Sequence, residues 1–162
     1  TVNWAKVYDE ELVNILEDKE YALKVFGIER GNAKPRKDIA KWSDVKNIIY
    51  YMYSNKFDKN GEFEYQKVTD KDEIDNIVKT YFEKYYNPED DKQTWFDKMK
   101  DLAEEMGYCR EVKEYKANPD AYKGHVGDIS TVIRVKLTGR SNTPDLYEIM
   151  KVLGLEEIKN RI

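Results

Sequence analysis

The sequence predicts an all-α protein. Through most of the chain, apolar side chains recur at steps of three and four residues, which is the spacing of one buried helical stripe. Two aspartates, Asp70 and Asp90, precede a Glu or Gln by three residues, which is the spacing of a helix-starting capping box. Only residues 129–138 alternate as a strand would, and a lone strand has no partner.

The first third of the chain contains three predicted helices. Residues 2–30 hold two of them, and the first is expected to bury one apolar stripe. That stripe comprises Trp4, Val7, Tyr8, Leu12, Ile15 and Leu16. Residues 30–38 contain Gly, Asn and Pro and form a predicted basic loop. Ser43 is a candidate N-cap for the third helix, over residues 45–53.

Two longer helices and a short turn follow. The helix that Asp70 opens extends to about Tyr86, because an Asn-Pro pair comes next. The helix that Asp90 opens ends before Gly107, which has the position of a C′ glycine. Asn118 precedes a proline and starts one short helical turn.

Residues 129–138 are the ambiguous stretch. Their β-branched residues favour a strand by propensity, whereas their apolar positions also form a helical stripe. We predict a helix, because no other segment could pair with a strand. The last long helix is then predicted to begin at Thr143 and Pro144, with Pro144 in its first position, and to end at Gly154.

The composition is that of a folded protein with no disulfide framework. The chain has 162 residues, enough for one large or two small domains, and 13 of them are tyrosines. A single cysteine excludes an internal disulfide and a cysteine-based zinc site. No apolar run approaches the roughly 20 residues of a membrane helix, and no signal or transit peptide begins the chain. We expect a cytoplasmic protein that is part of a longer chain.

Positive charge is concentrated locally, although the formal net charge is −4. Residues 110–140 hold seven Lys or Arg and four Asp or Glu, and residues 34–46 hold five and two. Local fields steer a polyanion more than the total charge does.

The sequence offers no catalytic or metal-binding set. His125 is the only histidine and has no oriented partner, so a surface or core-edge position is the stronger interpretation. Cys109 precedes an arginine that could activate it, but a small, partly buried residue is the stronger interpretation. Aromatic clusters at helical spacing favour core packing over base stacking, and Trp42 is the best exposed candidate for stacking.

Residues 134–154 combine cations with a predicted helix start. Arg134, Lys136 and Arg140 surround a Thr-Gly pair, and Pro144 in a first helical position would leave free amides on the next turn. Such a set suits an anionic, hydrogen-bonding ligand. An ordinary capped helix beside solvated cations explains the pattern equally well.

A family resemblance decides between these interpretations. The stretch YKGHVGDISTVIRVKLTGRSNTPDLYEIMKVLG (122–154) resembles the C-terminal anticodon-binding region of bacterial glutamyl-tRNA synthetases, which has an Arg-x-x-x-Thr-Gly pattern, then Thr/Ser-Pro and a helix ending in Leu-Gly. WAKVYDEEL, YALKVFGIERG, KPRKDIAKWSDV and YMYSNKF resemble the region that follows the catalytic part in the clostridial form. Residues 57–93 match only loosely.

The resemblance implies an all-α, anticodon-binding cage of two helical subdomains. Residues 1–85 would follow the catalytic and stem-contact part, and residues 86–162 would bind the anticodon. The family's enzyme couples glutamate to tRNA with ATP and Mg²⁺, and its two ATP-binding signatures are absent from this sequence. The chain is therefore expected to bind tRNA without a cofactor and to be inactive as a ligase by itself.

Family residues carry over where the motif matches. Arg134 corresponds to an arginine that contacts an anticodon base, and Thr143, Pro144 and Leu146 correspond to residues that enclose the middle base. From charge alone, four cations are expected to meet tRNA phosphates: Lys116, Lys123, Lys136 and Arg140. Three more are expected to touch the tRNA body or to dock the catalytic part: Lys34, Arg36 and Lys37.

The expected partners are tRNA-Glu and the catalytic domain of the same parent chain, with the protein a monomer. Whether tRNA-Gln also binds stays open, because the residue that contacts the first anticodon base cannot be aligned. Two alternatives are a freestanding helical tRNA-binding protein and a protein–protein docking module.

Overall fold

The computed structural model describes residues 2–34 and 44–162, and this part of the chain is helical with no β-strand. The all-α prediction is confirmed. The α-helices are α1 (Val2–Tyr8), α2 (Glu10–Ile15), α3 (Lys19–Gly27), α4 (Val45–Met52), α5 (Lys71–Thr80), α6 (Lys92–Glu105), α7 (Val112–Ala117), α8 (Val126–Thr138) and α9 (Leu146–Arg161). The predictions at Arg36, Lys37, Trp42 and Ser43 lie outside the described residues, as do the side chains of Trp4 and Ile49.

The chain divides into two compact units. The first comprises the described residues of Thr1–Asp58 together with Pro144–Gly154, and the second comprises Lys59–Thr143 and Leu155–Ile162. These units differ from the predicted subdomains 1–85 and 86–162, because residues 59–85 pack with the second unit and 144–154 with the first. The functional roles assigned to those subdomains stay predictions.

The first unit is built on a small apolar core. Its buried members include Ala5, Leu12, Leu16, Ala22 and Val45. The predicted stripe through α1 and α2 is wrong at Val7 and Tyr8, which are 70% and 71% exposed. The physical reason is Asp9, which leaves the helical conformation at φ −158°. Its carboxylate then accepts the Leu12 amide and pairs with Lys46 at 2.6 Å.

The second unit is centred on α8, against which α5 and α6 both pack. Its core includes Ile77, Met99, Leu102, Ile129 and Ile133, all fully buried. The prediction that residues 129–138 are helical is confirmed, and all five apolar positions of this β-branched stretch are buried.

A π-helical turn extends α5. Over Tyr81–Tyr85 the backbone hydrogen bonds join residues five apart instead of four. The Tyr86 amide, for example, donates to the Tyr81 carbonyl at 2.9 Å. The helix therefore continues close to Tyr86, as predicted. Tyr81 is fully buried, and this burial raises the pKa of its hydroxyl.

The start of α6 lies one residue later than predicted. Asp91 and not Asp90 is the N-cap, and its carboxylate accepts the Thr94 amide at 2.8 Å. Asp90 instead pairs with Lys98 at 2.6 Å. Gly107 follows α6 at φ 82°, which confirms its predicted place beyond the helix end.

Replacing Asp91 with alanine is expected to lower the melting temperature by about 2–4 °C, because the Thr94 amide loses its acceptor. Asp91→Asn keeps an acceptor oxygen and should melt within about 1 °C of the unaltered chain. The bond from the Thr94 amide holds the pKa of Asp91 below its usual value, so the stabilisation is present above that value and is lost as pH falls through the lowered pKa. Equal melting temperatures for both variants would show that the cap is not formed. Thermal melts followed by circular dichroism at neutral and acid pH make the comparison.

Helix α9 contains a break. Gly154 has φ 75° and ψ 165° inside it, so the prediction that the first helical segment ends at Gly154 is confirmed and a second segment runs to Arg161. The first segment buries Leu146, Ile149, Met150 and Leu153 in the pattern that the sequence predicts.

Candidate nucleic-acid interface

Arg134 and Thr143, two of the predicted base-contacting residues, contact each other within the second unit. The Arg134 guanidinium donates to the Thr143 hydroxyl, and the same nitrogen lies 3.3 Å from the Thr143 carbonyl oxygen. Thr143 is only 6% exposed, whereas Arg134 is half-buried. A nucleotide that hydrogen-bonds to either side chain would therefore have to share or replace this contact.

The turn that connects these residues is fixed by Thr138 and Gly139. Gly139 ends α8 in the left-handed conformation at φ 68°, and its amide donates to the Val135 carbonyl at 2.7 Å. The Thr138 hydroxyl accepts the Arg140 amide at 3.2 Å and lies 2.7 Å from the Arg134 carbonyl, to which it donates. The Thr-Gly pair therefore ends the helix just beyond Arg134 and directs the chain towards Thr143.

The predicted helix start at Pro144 is wrong. Helix α9 begins at Leu146, and Asp145 is its cap, because the Asp145 carboxylate accepts the Glu148 amide at 3.0 Å. The Asp145 carbonyl accepts the Ile149 amide, also at 3.0 Å. The prediction of free amides on the turn after Pro144 therefore fails for Glu148, whose donor is already bonded.

A second carboxylate lies at the same helix start, within the first unit. Glu29 accepts the Asp145 amide at 3.0 Å, and the Glu29 amide donates to the Glu148 carboxylate at 2.9 Å. Glu29 has φ 57°, the only positive φ of a non-glycine residue in the described chain. Pro144 and Leu146 are the neighbours of Asp145 in the sequence. Pro144 is half-buried, and Leu146 is buried.

Lys136 lies in a separate groove of the second unit. This open groove of about 290 Å³ is lined by α5, α8 and the end of the chain. Its lining residues are Asp75, Val78, Lys79, Phe82, Glu83, Lys136 and Ile162. Two carboxylates therefore share the groove with Lys136 and Lys79, which offsets the local positive charge.

The other predicted phosphate contacts are spread over the surface. Lys123 pairs with Glu73 at 3.0 Å, and Glu73 also accepts the Tyr108 hydroxyl at 3.1 Å. Burial, together with the Glu73 charge, raises the pKa of Tyr108. Lys116 is exposed on α7, and Arg140 and Lys34 are exposed in their own segments. To contact a tRNA phosphate, Lys123 would have to leave its ion pair with the Glu73 carboxylate.

His125 and Cys109 have contacts that stabilise the fold. The His125 Nδ1 accepts the Gly127 amide at 3.0 Å, and the Asp128 carboxylate accepts the His125 amide at 2.9 Å, so His125 caps α8. Cys109 is buried and its amide donates to the Gly124 carbonyl at 2.9 Å. Within residues 2–34 and 44–162, no three His, Cys, Asp or Glu side chains are grouped to hold a metal ion. Nor does any helix of these residues have the length and apolarity to cross a membrane.

Sequence reasoning missed Asp145, Glu29 and Lys79. Asp145 had a signal, because Glu148 follows it by three residues as in a capping box. Glu29 had none, since its contacts join residues 116 and 119 positions apart.

Comparison with known proteins identifies the family. Residues 9–162 match the model of the anticodon binding domain. Curated relatives include the glutamate–tRNA ligase of Clostridium perfringens (strain 13 / Type A), 44% identical over 99% of this chain and 30% of its own length. The glutamate–tRNA ligase of Acetivibrio thermocellus is 42% identical over 99% of this chain and 29% of its own length, and that of Sorangium cellulosum is 36% identical over 99% and 28%.

The chain thus spans about 30% of the length of these relatives. No solved structure matches it. Because the family model covers nearly the whole sequence, the chain belongs to the anticodon binding domain family.

Proposed function

We propose that the chain binds tRNA-Glu through its anticodon, as the part of a glutamate–tRNA ligase that holds the anticodon loop. The observation that carries this proposal is the family match over residues 9–162, supported by ligase relatives aligned along the whole chain. The joining of glutamate to tRNA, with ATP and Mg²⁺, belongs to the part of the relatives that this chain does not span. A cytoplasmic location, a monomeric state and a covalently linked catalytic domain are parts of the same proposal.

Arg134 and Thr143 are the proposed base-contacting pair. Sequence-specific RNA recognition uses hydrogen bonds to the edges of unstacked bases, and a guanidinium and a hydroxyl supply them. In the free chain the two groups hydrogen-bond each other, which holds the arginine in place before a base arrives. Pro144 supplies the apolar contact, because it is half-buried, whereas Leu146 is 2% exposed and packs in the core of the first unit. Lys116, Lys123, Lys136 and Arg140 supply phosphate contacts.

A titration of labelled tRNA-Glu at rising salt tests the proposal. The logarithm of the association constant should fall linearly with the logarithm of salt concentration, because phosphate contacts release counterions. Arg134→Ala and Thr143→Ala should each weaken binding by about tenfold or more, the usual effect of losing a base-specific contact. Discrimination against a tRNA with an altered middle anticodon base should fall as well.

Arg110→Ala is the matched control. This substitution removes the same charge from the same unit, at a guanidinium already placed between Asp101 and Glu104. Binding close to that of the unaltered chain is expected. If Arg134→Ala behaves like Arg110→Ala, the assigned site is wrong, and if no tRNA binds the unaltered chain, the function is wrong. Repeating the titration with tRNA-Gln tests whether that tRNA is also accepted.

A further inference from the structure

An open groove follows one face of α5 and its π-helical turn, within the second unit. Its volume is about 290 Å³, which is close to the lower end of the range of small-molecule sites. Five of its lining residues recur at steps of three and four positions, the spacing of a single helical face. They are Asp75, Val78, Lys79, Phe82 and Glu83, and Lys136 of α8 lines the groove as well.

Part of the groove is apolar and aromatic. Val78 is 7% exposed, and Phe82 is half-buried. The Phe82 ring makes edge-to-face contacts with the rings of Tyr81 and Tyr86, at centroid distances of 4.8 Å and 5.3 Å. Because two neighbouring rings hold this ring and part of it stays accessible, it can stack on a planar ligand without first being ordered.

The same groove has four charged side chains, two of each sign: Asp75, Lys79, Glu83 and Lys136. Among the described residues, none of these four charged groups forms an ion pair. Other charges of the second unit do pair, for example Lys100 with Glu111 at 2.7 Å. A bare anion gains little from a groove whose charges balance. The four groups are instead complementary to a ligand that has both an anionic group and hydrogen-bond donors.

The backbone of the groove is unusual at the same place. Phe82 and Glu83 belong to the π-helical turn Tyr81–Tyr85, which follows α5 directly. Such turns are rare in folded proteins, and they occur frequently at functional sites. The irregular backbone, the held aromatic ring and the unpaired charges therefore coincide in one groove.

We propose that this groove binds a guanine nucleotide. The base stacks on the Phe82 ring, as unpaired bases do on aromatic side chains. Lys79 and Lys136 contact the phosphate. Asp75 and Glu83 supply the carboxylates for the base, since the adjacent N1–H and N2–H donors of guanine match the two acceptor oxygens of one carboxylate. A free nucleotide and an unpaired guanine of an RNA present this same chemistry.

Guanosine 5′-monophosphate is the probe, and backbone amide NMR signals report on its binding. Adding it to the unaltered chain should shift the signals of Phe82, Glu83 and Lys136, whereas inorganic phosphate at the same concentration should shift them much less. Inosine 5′-monophosphate has the same rings and phosphate but lacks the 2-amino group. It should bind about three- to tenfold more weakly, the usual effect of losing one hydrogen bond.

A double variant, Asp75→Asn with Glu83→Gln, tests the carboxylates. Removing two negative charges strengthens the binding of any phosphate, so the measured quantity is the ratio of the affinities for the guanosine and inosine monophosphates. This ratio should fall to near one. Glu62→Gln, at an exposed position of the same unit away from the groove, should leave the ratio unchanged.

Two further variants test the other contacts. Lys79→Gln should weaken binding of the monophosphate and leave binding of guanosine, which has no phosphate, unchanged. Lys113→Gln is its control, because Lys113 is an exposed cation of α7 outside the groove. Phe82→Leu keeps an apolar side chain but should weaken binding of all these ligands by about fivefold or more, through the loss of stacking.

A final arm distinguishes the two sources of the ligand. Loss of the guanosine monophosphate shifts when tRNA-Glu is added would show that the groove takes an unpaired guanine of the tRNA, and persistence of the shifts would show that it takes a free nucleotide. Equal shifts from phosphate, or equal affinities for the two monophosphates, would overturn the proposal. So would signals that move only as the protein is concentrated, which would make the groove an interface between copies. The titrations with free ligands do not depend on the proposed function.

Discussion

Replacing Arg161 with methionine is expected to lower the free energy of unfolding by about 3–5 kcal/mol, the usual result of removing one partner of a buried charge pair. Arg161 is 2% exposed. Its Nε donates to the Glu157 carboxylate and its Nη1 to the Leu137 carbonyl, each at 2.6 Å. That carbonyl lies in the last turn of α8, where helix carbonyls need partners from outside the helix. Methionine keeps most of the buried apolar stem but leaves both acceptors without this donor.

Urea unfolding of three variants measures the effect. Lys159→Met changes an exposed cation of the same helical turn, whose distance to Glu156 is 3.9 Å, and should alter stability by less than about 0.5 kcal/mol. Adding Glu157→Leu to Arg161→Met removes the unpaired carboxylate and should recover part of the loss. If Arg161→Met is as stable as Lys159→Met, the buried guanidinium does not hold α8 and the end of α9 together.

Gly154→Ala is expected to cost about 1–3 kcal/mol, because its combination of φ 75° and ψ 165° is accessible almost only to glycine. An added Cβ would meet no described heavy atom within 4 Å, so the cost comes from the backbone and not from a clash. The substitution should favour a continuous helix through residue 154, which is incompatible with the break in α9. Thermal and urea unfolding, with circular dichroism for helix content, measure both effects.

Gly27→Ala is the matched control for that experiment. Gly27 lies at the end of α3 without a positive φ, and a Cβ there also meets no described heavy atom within 4 Å. The same chemical change should therefore stabilise the protein, by up to about 0.5–1 kcal/mol. Opposite signs for the two substitutions are the expected result. Two changes of the same sign would show that the break at Gly154 does not depend on glycine.

Helical periodicity predicted most of the fold, because the core-facing residues of α9 follow it closely. Errors arose where adjacent residues of the same type compete for a cap. Asp90 and Asp91 are both good caps, and which one leaves the helical conformation depends on tertiary contacts such as that between Asp90 and Lys98. Val7 and Tyr8 fit the stripe in sequence, but the break at Asp9 turns them to the surface.

The candidate site was predictable in part. The sequence predicted Arg134 and Thr143 as base-contacting residues, and in the structure their side chains hydrogen-bond each other. It could not indicate that the helix start near Pro144 carries its own anions, because Glu29 reaches Asp145 across 116 positions of the chain. Contacts of that sequence separation leave no periodic or local signal. The phosphate contacts, predicted from charge alone, stay predictions.

The first unit is assembled from two separate stretches of the chain, with residues 59–143 lying between them. During synthesis on a ribosome, its first four helices therefore emerge long before the segment that contains Asp145 and Glu148. Domains made of one stretch can fold in order from the N-terminus, but this unit cannot. Glu29 cannot form its hydrogen bonds to Asp145 and Glu148 until both residues have been synthesised. A chain truncated before residue 144 would therefore contain a first unit without the first segment of α9.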